Sequence, residues 1–597
     1  MDRRSFLRSS MYFTVVSATA PLAACGGSNT DEVPEAPRDS FTFPLGVASG
    51  DPKDSSVVFW TRVVSAKGRE STPVRLEVST SDTFATIAAS AELSASRQFD
   101  YTVRVKVTAL TPATRYFYRF VAGQDQSVVG TTRTAPAASA TPAQVTFAWL
   151  TCQDWSVNHW AAMDLIAAEE LDFVVHLGDY IYETVGAAFQ AGVAEAAHGR
   201  ITLPNASPRG GGETGVYATS LEDYRTLYRT YRGDPRLQEL HRKFPIIAIW
   251  DDHEFSDDCW QDHQTYSNAN VQETARRRSA TQAWAEYMPI DFGDVSFDLA
   301  KPGFDNIRIY RDFKFGTLMH LVMTDQRLYR DDHVVGEAEL ATLIGHHPIQ
   351  GDDRIGSRYF VPLPILKQFE GLDSFVLKRA PSILGATQAQ WWKDTLKGSS
   401  ASWKVWGNEV TLNRMWIDLR ASAPAPYNNQ YVVNADTWDG YPTHKAELMT
   451  FLKTNGIKNV VAITGDLHAF QCGTIRDNPD PALGTPVAVD FVSAGISSDS
   501  FYRYLKSGAG NTPLAPLVAT PQAFDAVIRG NNPDFAYADH DAQGFAVATV
   551  TATAFTVMFN KVKPLNADGS KPARALQKRT RITLELGSTS PVVEDNV

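Results

Sequence analysis

Between residues 41 and 135, hydrophobic and polar positions alternate in short stretches that end at turns. Residues 74–78 (Val-Arg-Leu-Glu-Val) and residues 101–107 (Tyr-Thr-Val-Arg-Val-Lys-Val) alternate strictly. A period of two is typical of strands with one buried face. The pattern therefore predicts a small β-sandwich over residues 41–135. A stretch rich in Ala, Ser, Thr and Pro follows, and it predicts a linker at residues 136–144.

From residue 145 onward the pattern changes to continuous apolar runs, separated by stretches with helical periodicity such as 160–171, 221–231 and 387–397. Continuous runs indicate strands that are buried on both faces, and their alternation with helices indicates an α/β arrangement. Residues 544–586 return to alternating strands, which either cap the core or complete one of its sheets. We therefore predict an α/β (α+β) core of layered β-sheets flanked by helices over residues 145–597.

Residues 1–25 predict an export signal. Residues 2–8 contain a twin-arginine motif, and the apolar stretch 11–24 is shorter than the roughly 20 residues of a membrane helix. The stretch ends in Leu-Ala-Ala-Cys, which predicts that Cys25 is acylated and that residues 26–40 form a flexible tether. An ordinary signal peptide that happens to contain a cysteine is the alternative. We expect a lipid-anchored protein in the periplasm or at the cell surface.

The composition limits the classes of protein to which the chain can belong. Since about 570 residues follow the signal, two or more domains are expected. The hydrophobic fraction of 43% is ordinary for a globular protein, and the net charge of −11 argues against a nucleic-acid-coating protein. We expect a monomer that acts on a small substrate and contacts the membrane through its lipid anchor alone.

Five of the predicted strands end in side chains that can bind a metal. In open α/β sheets the functional crevice lies outside the carboxyl ends of the strands. Gathering these groups at one edge would be costly in desolvation and repulsion unless a cation offset it. The pattern therefore predicts a metal site. The side chains are Cys152 after 147–150, Asp179 and Tyr182 after 173–177, Asp251, Asp252 and His253 after 245–250, Asn408 after 403–406, and Asp466 and His468 after 460–463.

Three of these strand ends resemble a known signature. Gly178-Asp179-x-x-Tyr182, Asp251-Asp252-His253-Glu254 and Gly465-Asp466-x-His468 are similar to the motifs of the metallophosphoesterase (calcineurin-like) superfamily in its PhoD form. The resemblance extends over nearly the whole mature chain, and residues 110–118 also resemble the turn and strand of fibronectin-type sandwiches. It implies a metallophosphoesterase core preceded by a fibronectin-like sandwich. The family comprises alkaline phosphatases and phosphodiesterases, some of them phospholipases.

The resemblance implies that Cys152 takes the place of a carboxylate that other metallophosphoesterases have on their first strand. Cys152, Asp179, Tyr182 and His468 would then bind Fe³⁺. Thiolate and phenolate donors suit a trivalent, redox-capable ion, and a thiol bound to a metal is deprotonated. The alternatives are a small buried cysteine and a core tyrosine that bind no metal.

The resemblance also implies that Asp179 bridges to one or two Ca²⁺ ions held by oxygen donors. Asp252 and Asp466 are the first candidates for these donors. Two ions can clamp the attacking and leaving oxygens while a metal-activated hydroxide attacks phosphorus. His253 is the candidate for protonating the leaving oxygen or stabilising charge on the phosphoryl group. A histidine that is merely hydrogen-bonded at the start of a loop is the alternative.

Other residues have weaker assignments. Asn408 and Asp251 are expected either to bind a metal or to support residues that do. Arg327 could meet a phosphate oxygen, but an ion pair on a helix surface is the favoured interpretation. Where the family usually has two asparagines, this chain has Asp257 and Asp258, whose carboxylates either strengthen a calcium site or repel an anionic substrate.

The remaining cysteines and one long insertion leave open questions. Cys259 and Cys472 either form a periplasmic disulfide or are two unrelated buried thiols. The insertion at residues 187–215 is long for a connecting loop and directly follows the Asp179 motif, so it could overhang the site and set substrate size.

The leading hypothesis is an exported metal-dependent phosphoesterase of the alkaline phosphatase D type, which hydrolyses organic phosphate esters. The alternative enzymatic activity is that of a phospholipase D-like phosphodiesterase that acts on phospholipid head groups. A non-catalytic surface lipoprotein is an alternative from another class, but it would be expected to have lost at least one metal ligand. All six ligands implied above are present in the sequence.

Overall fold

The computed structural model describes residues 12–13, 39–190, 192–210, 212–266, 270–336, 358–510 and 512–597. The predicted signal, including Cys25, and most of the tether therefore lie outside the described residues, apart from a two-residue strand at Tyr12–Phe13. In the part of the chain that the structure describes, no helix combines the length and apolarity that crossing a membrane requires.

Residues 47–133 form two layers of antiparallel strands. Strict alternation turns Val74, Leu76 and Val78 toward the interior, where they share an apolar core with Tyr118 of the neighbouring strand and Phe59 of the facing layer. One layer contains β3, β4, β6 and β7, and the other contains β1, β2 and β5. The strands are β1 (Val47–Gly50), β2 (Val57–Arg62), β3 (Ser71–Ser79), β4 (Ala89–Ser96), β5 (Thr102–Val107), β6 (Arg115–Ala122) and β7 (Gly130–Arg133).

The second of these layers continues into the first large sheet of the core. β1 pairs in parallel with β10 (Pro245–Ile249), and Gly50 permits the close approach, because a Cβ there would lie 2.7 Å from the carbonyl oxygen of Ile246 in β10. The C-terminal strands complete this sheet at its other edge. In sheet order it runs β5-β2-β1-β10, β9 (Phe173–Leu177), β8 (Gln144–Leu150), β21 (Gly544–Thr551), β22 (Ala554–Val562), β23 (Leu576–Glu585) and β24 (Val592–Asp595).

A second large sheet packs face to face on the first. The two sheets share one apolar core, in which the rings of Phe173 and Phe315 stack at 4.3 Å between centroids. In sheet order the second sheet runs β11 (Arg311–Phe315), β12 (Met319–Met323), β14 (Trp403–Asn408), β17 (Val460–Thr464), β19 (Pro486–Val492), β18 (Phe470–Arg476) and β20 (Phe535–Asp539). A small sheet contains β13 (Tyr359–Pro362), β15 (Trp416–Asp418) and β16 (Gln430–Asn434).

Helices flank the two sheets, and their starts follow from local sequence. Ser220 and Asp223 form a capping box at the start of α2, and Pro235 follows the N-cap Asp234 of α3. The helices are α1 (Ala161–Ala167), α2 (Leu221–Tyr231), α3 (Pro235–Lys243), α4 (Thr274–Tyr287), α5 (Leu363–Leu377), α6 (Gly385–Lys397), α7 (Pro442–Thr454), α8 (Phe501–Ala509) and α9 (Pro521–Asn531).

A buried ion pair fastens the N-terminal layer to the second sheet. Arg311 donates to Asp51 at 3.0 and 2.7 Å, and neither side chain is more than 2% exposed. Asp51→Asn leaves the Arg311 charge without its partner, so we expect the free energy of unfolding to fall by about 3–5 kcal/mol. Chemical denaturation measures this. Asp54→Asn, in the same loop, keeps an oxygen that can accept the exposed hydrogen bond from the Ser55 hydroxyl, and it should change stability by about 0.5 kcal/mol or less. Equal stability of both variants would contradict the prediction.

Candidate metal centre

The loops after the strands of both large sheets meet at one edge of the molecule. Cys152 follows β8 and Asp179 follows β9 in the first sheet, while Asp466 follows β17 in the second. The Sγ atom of Cys152 lies 3.9 Å from the carbonyl oxygen of Asp466, so the two sheets are in contact here. The predicted ligand-bearing strand ends therefore come together across the sheets.

Four of the predicted ligands form a first cluster. The ligand atoms of Cys152, Asp179 and His468 all lie within 4.8 Å of one another, and none of these residues is more than 8% exposed. The hydroxyl of Tyr182 donates to Asp179 Oδ2 at 3.2 Å and lies 3.4 Å from His468 Nε2. His468 Nδ1 donates to the carbonyl oxygen of Asp499 at 2.8 Å, which leaves the Nε2 lone pair for the cluster.

The backbone of the site is strained. Cys152, Asp179, Asp466 and His468 have φ angles of 54°, 55°, 59° and 57°, in the left-handed region that residues other than glycine rarely adopt. Each such residue costs on the order of 1–3 kcal/mol and persists only where its surroundings fix it. Gly178 has φ of 94°, and a Cβ there would lie 2.3 Å from Asp251 Cβ, so only glycine fits. The loops are thus built to turn these side chains toward one another.

Glu254 clamps two of these loops. Its Oε2 accepts hydrogen bonds from the backbone N–H groups of Asp179 and Asp251 at 3.0 and 2.7 Å, and its Oε1 accepts from that of Tyr180 at 2.7 Å. The carboxylate is buried. It therefore fixes the positions of the residues that follow β9 and β10.

A second cluster consists of carboxylates alone. The ligand atoms of Asp251, Asp252 and Asp466 lie within 4.8 Å of one another. Asp252 belongs to two further groups with the same spacing. One contains Asp179 and His253, and the other contains Asp257 and Asp258. Asp251 Oδ2 and Asp252 Oδ1 are buried and have no hydrogen-bond partner among the described residues. Oxygen atoms of this kind fit a cation.

Arg327 lies inside the carboxylate cluster, so its favoured interpretation as part of a helix-surface ion pair is wrong. The residue belongs to the loop after β12 and is 0% exposed. Its guanidinium donates to Asp251 at 2.5 Å, Asp436 at 3.0 Å and Asp466 at 3.1 Å. It offsets part of their negative charge and orients these three carboxylates.

The crowding of buried acidic groups changes their proton affinities. Burial and the neighbouring Asp252 raise the pKa of Asp179 well above its ordinary value, and burial followed by Asp179 does the same for the pKa of the Cys152 thiol. Burial raises the pKa of Asp251 to about 6 despite Arg327. These shifts mean that the protein groups alone do not offset the negative charge, so a cation would stabilise the ionised ligands.

His253 lies beside the first cluster and is oriented by Glu183. Its Nδ1 donates to Glu183 Oε2 at 2.7 Å, and its ring centroid lies 4.1 Å from that of Tyr182. Burial lowers the pKa of His253, but the carboxylates of Asp252 and Glu183 outweigh it and raise that pKa well above its ordinary value. The imidazole is therefore a fixed proton donor next to the candidate ligands.

The site also contains residues that the sequence did not single out. Glu254 lies within a quoted motif and Glu183 directly follows Tyr182 of another, which is the signal that could have found them. Ser498, whose Oγ lies 2.6 Å from the Tyr182 hydroxyl, follows β19 in a stretch without such a signal. The insertion at 187–215 packs on the site through Phe189, whose ring centroid lies 6.4 Å from that of Tyr182 and 5.6 Å from that of His253.

Three predicted residues lie outside the clusters. The amide of Asn408 donates to the Val410 carbonyl and Thr464 and accepts from Trp438, so it braces the loop after β14.

Cys259 and Cys472 are free buried thiols, and the disulfide considered for them is not formed. Cys472 is paired within β18 between β19 and β20, whereas Cys259 lies 3.8 Å from the carbonyl oxygen of Asp252.

Comparison with known proteins gives consistent matches over the whole of this architecture. The family model described as PhoD-like phosphatase matches residues 147–559, and that of the PhoD-like phosphatase N-terminal domain matches residues 28–136. Alkaline phosphatase D of Bacillus subtilis (strain 168) is 29% identical over 504 residues, covering 83% of this chain and 76% of the relative. A solved structure described as "Structure of PhoD" is similar with a TM-score of 0.72 and 25% identity, covering 93% of this chain and 92% of that one.

Proposed function

The chain belongs to the PhoD-like phosphatase family and is a phosphoesterase, and from this premise we propose that it is an exported, metal-dependent enzyme that hydrolyses organic phosphate esters. The observation that supports metal dependence most strongly is the first cluster. There a thiol, a carboxylate, a phenol and an imidazole converge in a buried site around strained loops.

The donors fit two kinds of ion. Fe³⁺ would be held by Cys152, Asp179, Tyr182 and His468, because thiolate, phenolate and imidazole donors suit this ion. Ca²⁺ would be held through the carboxylate oxygen atoms of Asp179, Asp252 and Asp466. When bound, these ions would supply Lewis-acid charge and would lower the pKa of water, the nucleophile of the hydrolysis.

The protein groups around the ions have separate tasks. Arg327 holds Asp251, Asp436 and Asp466 in fixed positions without lying near solvent. His253, with its Nδ1 hydrogen fixed on Glu183, is placed to give a proton to the leaving oxygen of the ester. Cys152, Asp179 and Asp252 are buried, and their burial limits the access of bulk water and strengthens these electrostatic interactions.

Removal and return of metal tests this proposal. Chelator-treated protein should release phosphate from a monoester and a diester at background rates, and iron together with calcium should restore the rate. Full activity of protein whose metal content has been shown to be negligible would contradict metal dependence. The ratio of the monoester and diester rates would rank the substrates.

The Glu254 clamp leads to a separate prediction. Glu254→Gln replaces one acceptor oxygen by an NH₂ group that cannot accept from the N–H groups of Asp179, Tyr180 or Asp251. Because supporting groups of this kind typically contribute 10–100-fold to metal affinity or activity, we expect a loss of about that size. Metal titration and phosphate release measure it. Glu239→Gln, in an ion pair with Arg242 on α3, is the matched control and should behave as the unaltered protein. Indistinguishable results for the two variants would exclude the positioning role.

Export and anchoring follow from the N-terminal sequence. We propose that the twin-arginine signal directs the folded protein across the membrane and that Cys25 receives the lipid. Incorporation of labelled fatty acid that disappears in Cys25→Ser would support the anchor, and unchanged labelling in that variant would exclude it.

A further inference from the structure

A cavity of 170 Å³ lies between the insertion and helix α8. The insertion lines it with Ala188, Phe189 and Gly192. Helix α8 and the residues just before it line it with Asp499, Arg503, Tyr504 and Ser507. A cavity of about 150 Å³ is large enough to admit benzene. The space therefore has the size of one aromatic ring.

The aromatic walls of the cavity are also neighbours of the metal centre. The ring of Tyr504 lies 5.6 Å from that of His468, and the ring of Phe189 lies 5.6 Å from that of His253. Phe189 packs in one apolar cluster with Cys152 and Tyr182, against which Tyr504 also lies. A group in the cavity would therefore contact the two aromatic rings that pack on the candidate ligand His468 and on the candidate acid His253.

The charges at the cavity do not favour an anion. Arg503 is the cationic residue of its lining, and its guanidinium lies 3.3 Å from Asp499 and 3.5 Å from Asp541. Two carboxylates thus balance this charge before a ligand arrives. The phosphoryl group would be bound at the metal centre, and the cavity offers its aromatic faces to an uncharged part of the substrate.

We propose that this cavity is a subsite for the aryl group of an aryl phosphate ester, an inference that rests on the proposed site of phosphoester hydrolysis. In that reaction the bond between phosphorus and the aryl oxygen breaks with its electron pair on that oxygen. Water supplies the new oxygen on phosphorus, one of its protons goes to the aryl oxygen, and phenol and phosphate leave. The subsite makes aryl esters preferred substrates over small alkyl esters.

Inhibition by phenylphosphonate and methylphosphonate tests the subsite, because their phosphorus–carbon bond resists hydrolysis. Phenylphosphonate should inhibit the unaltered enzyme about tenfold more tightly than methylphosphonate. Ser507→Phe fills the cavity and should weaken inhibition by phenylphosphonate about tenfold, with methylphosphonate changed about twofold or less. Lys506→Phe places the same aromatic side chain at an exposed neighbouring position and should change neither constant.

A second variant replaces Ser507→Phe in this test if that protein does not fold. Ala188→Leu narrows the cavity from the opposite wall and should also weaken inhibition by phenylphosphonate but not by methylphosphonate. Equal inhibition of the unaltered enzyme by both phosphonates would overturn the subsite. Weaker inhibition by both phosphonates alike in Ser507→Phe or Ala188→Leu would also overturn it. If the protein hydrolyses no phosphate ester, the proposed function fails, while calorimetric binding of phenylphosphonate to the unaltered protein and to Ser507→Phe still decides whether the cavity binds an aryl group.

Discussion

Asp179→Asn is expected to lower kcat/KM for phosphate release by about 1,000-fold or more. Asp179 belongs both to the thiol-containing cluster and to a group with Asp252 and His253, so its carboxylate is the link between the two clusters. Loss of a shared ligand removes charge stabilisation of several kcal/mol from the transition state, and each 1.36 kcal/mol is about tenfold in rate.

The same substitution should leave the metal-free protein at least as stable as before. Because burial and Asp252 raise the pKa of Asp179 in the folded protein, its ionised carboxylate disfavours folding at neutral pH when no cation is bound. Thermal unfolding of chelator-treated protein measures this. Asp172→Asn, at the amino end of the same strand, where Asp172 accepts a hydrogen bond from Thr146, is the control and should keep its activity. An inactive variant that is also unfolded, or an active Asp179→Asn protein, would contradict this role.

His253→Gln is expected to lower the rate on alkyl esters by about 100- to 10,000-fold, the usual contribution of a general acid. The effect should be much smaller on a nitrophenyl ester, because a nitrophenolate leaves without needing a proton. Rates on the two esters for the variant and the unaltered enzyme measure this difference. His263→Gln changes a histidine in the short strand His263–Gln264, which is outside the clusters, and it is the control. Equal losses on both esters would show that His253 acts through charge or structure rather than by proton transfer.

Much of the site could be predicted because strand ends are local features. The apolar runs at 147–150, 173–177 and 460–463 lie within β8, β9 and β17, and the residues after them reach the site as expected from the carboxyl-end rule. Helix α2 lies at the predicted residues 221–231, since its capping box and apolar spacing are both local.

What could not be predicted depends on contacts distant in sequence. The pairing of β1 with β10 requires the close approach at Gly50, which no local pattern indicates. The sequence alone favours a helix-surface ion pair for Arg327, because nothing near it in sequence shows that its loop enters a carboxylate cluster. For the same reason the sequence does not show whether Cys259 and Cys472 lie close enough to form a disulfide, whereas in the fold both are free thiols.

The most direct test of the account is the metal content and visible spectrum of protein purified from its native export route, compared with Tyr182→Phe. We expect iron near one per chain together with calcium, and a ferric charge-transfer absorption in the unaltered protein that shifts or disappears in Tyr182→Phe. Colourless, iron-free protein that hydrolyses phosphate esters at the full rate would contradict the assignment of Cys152, Asp179, Tyr182 and His468 as an iron site.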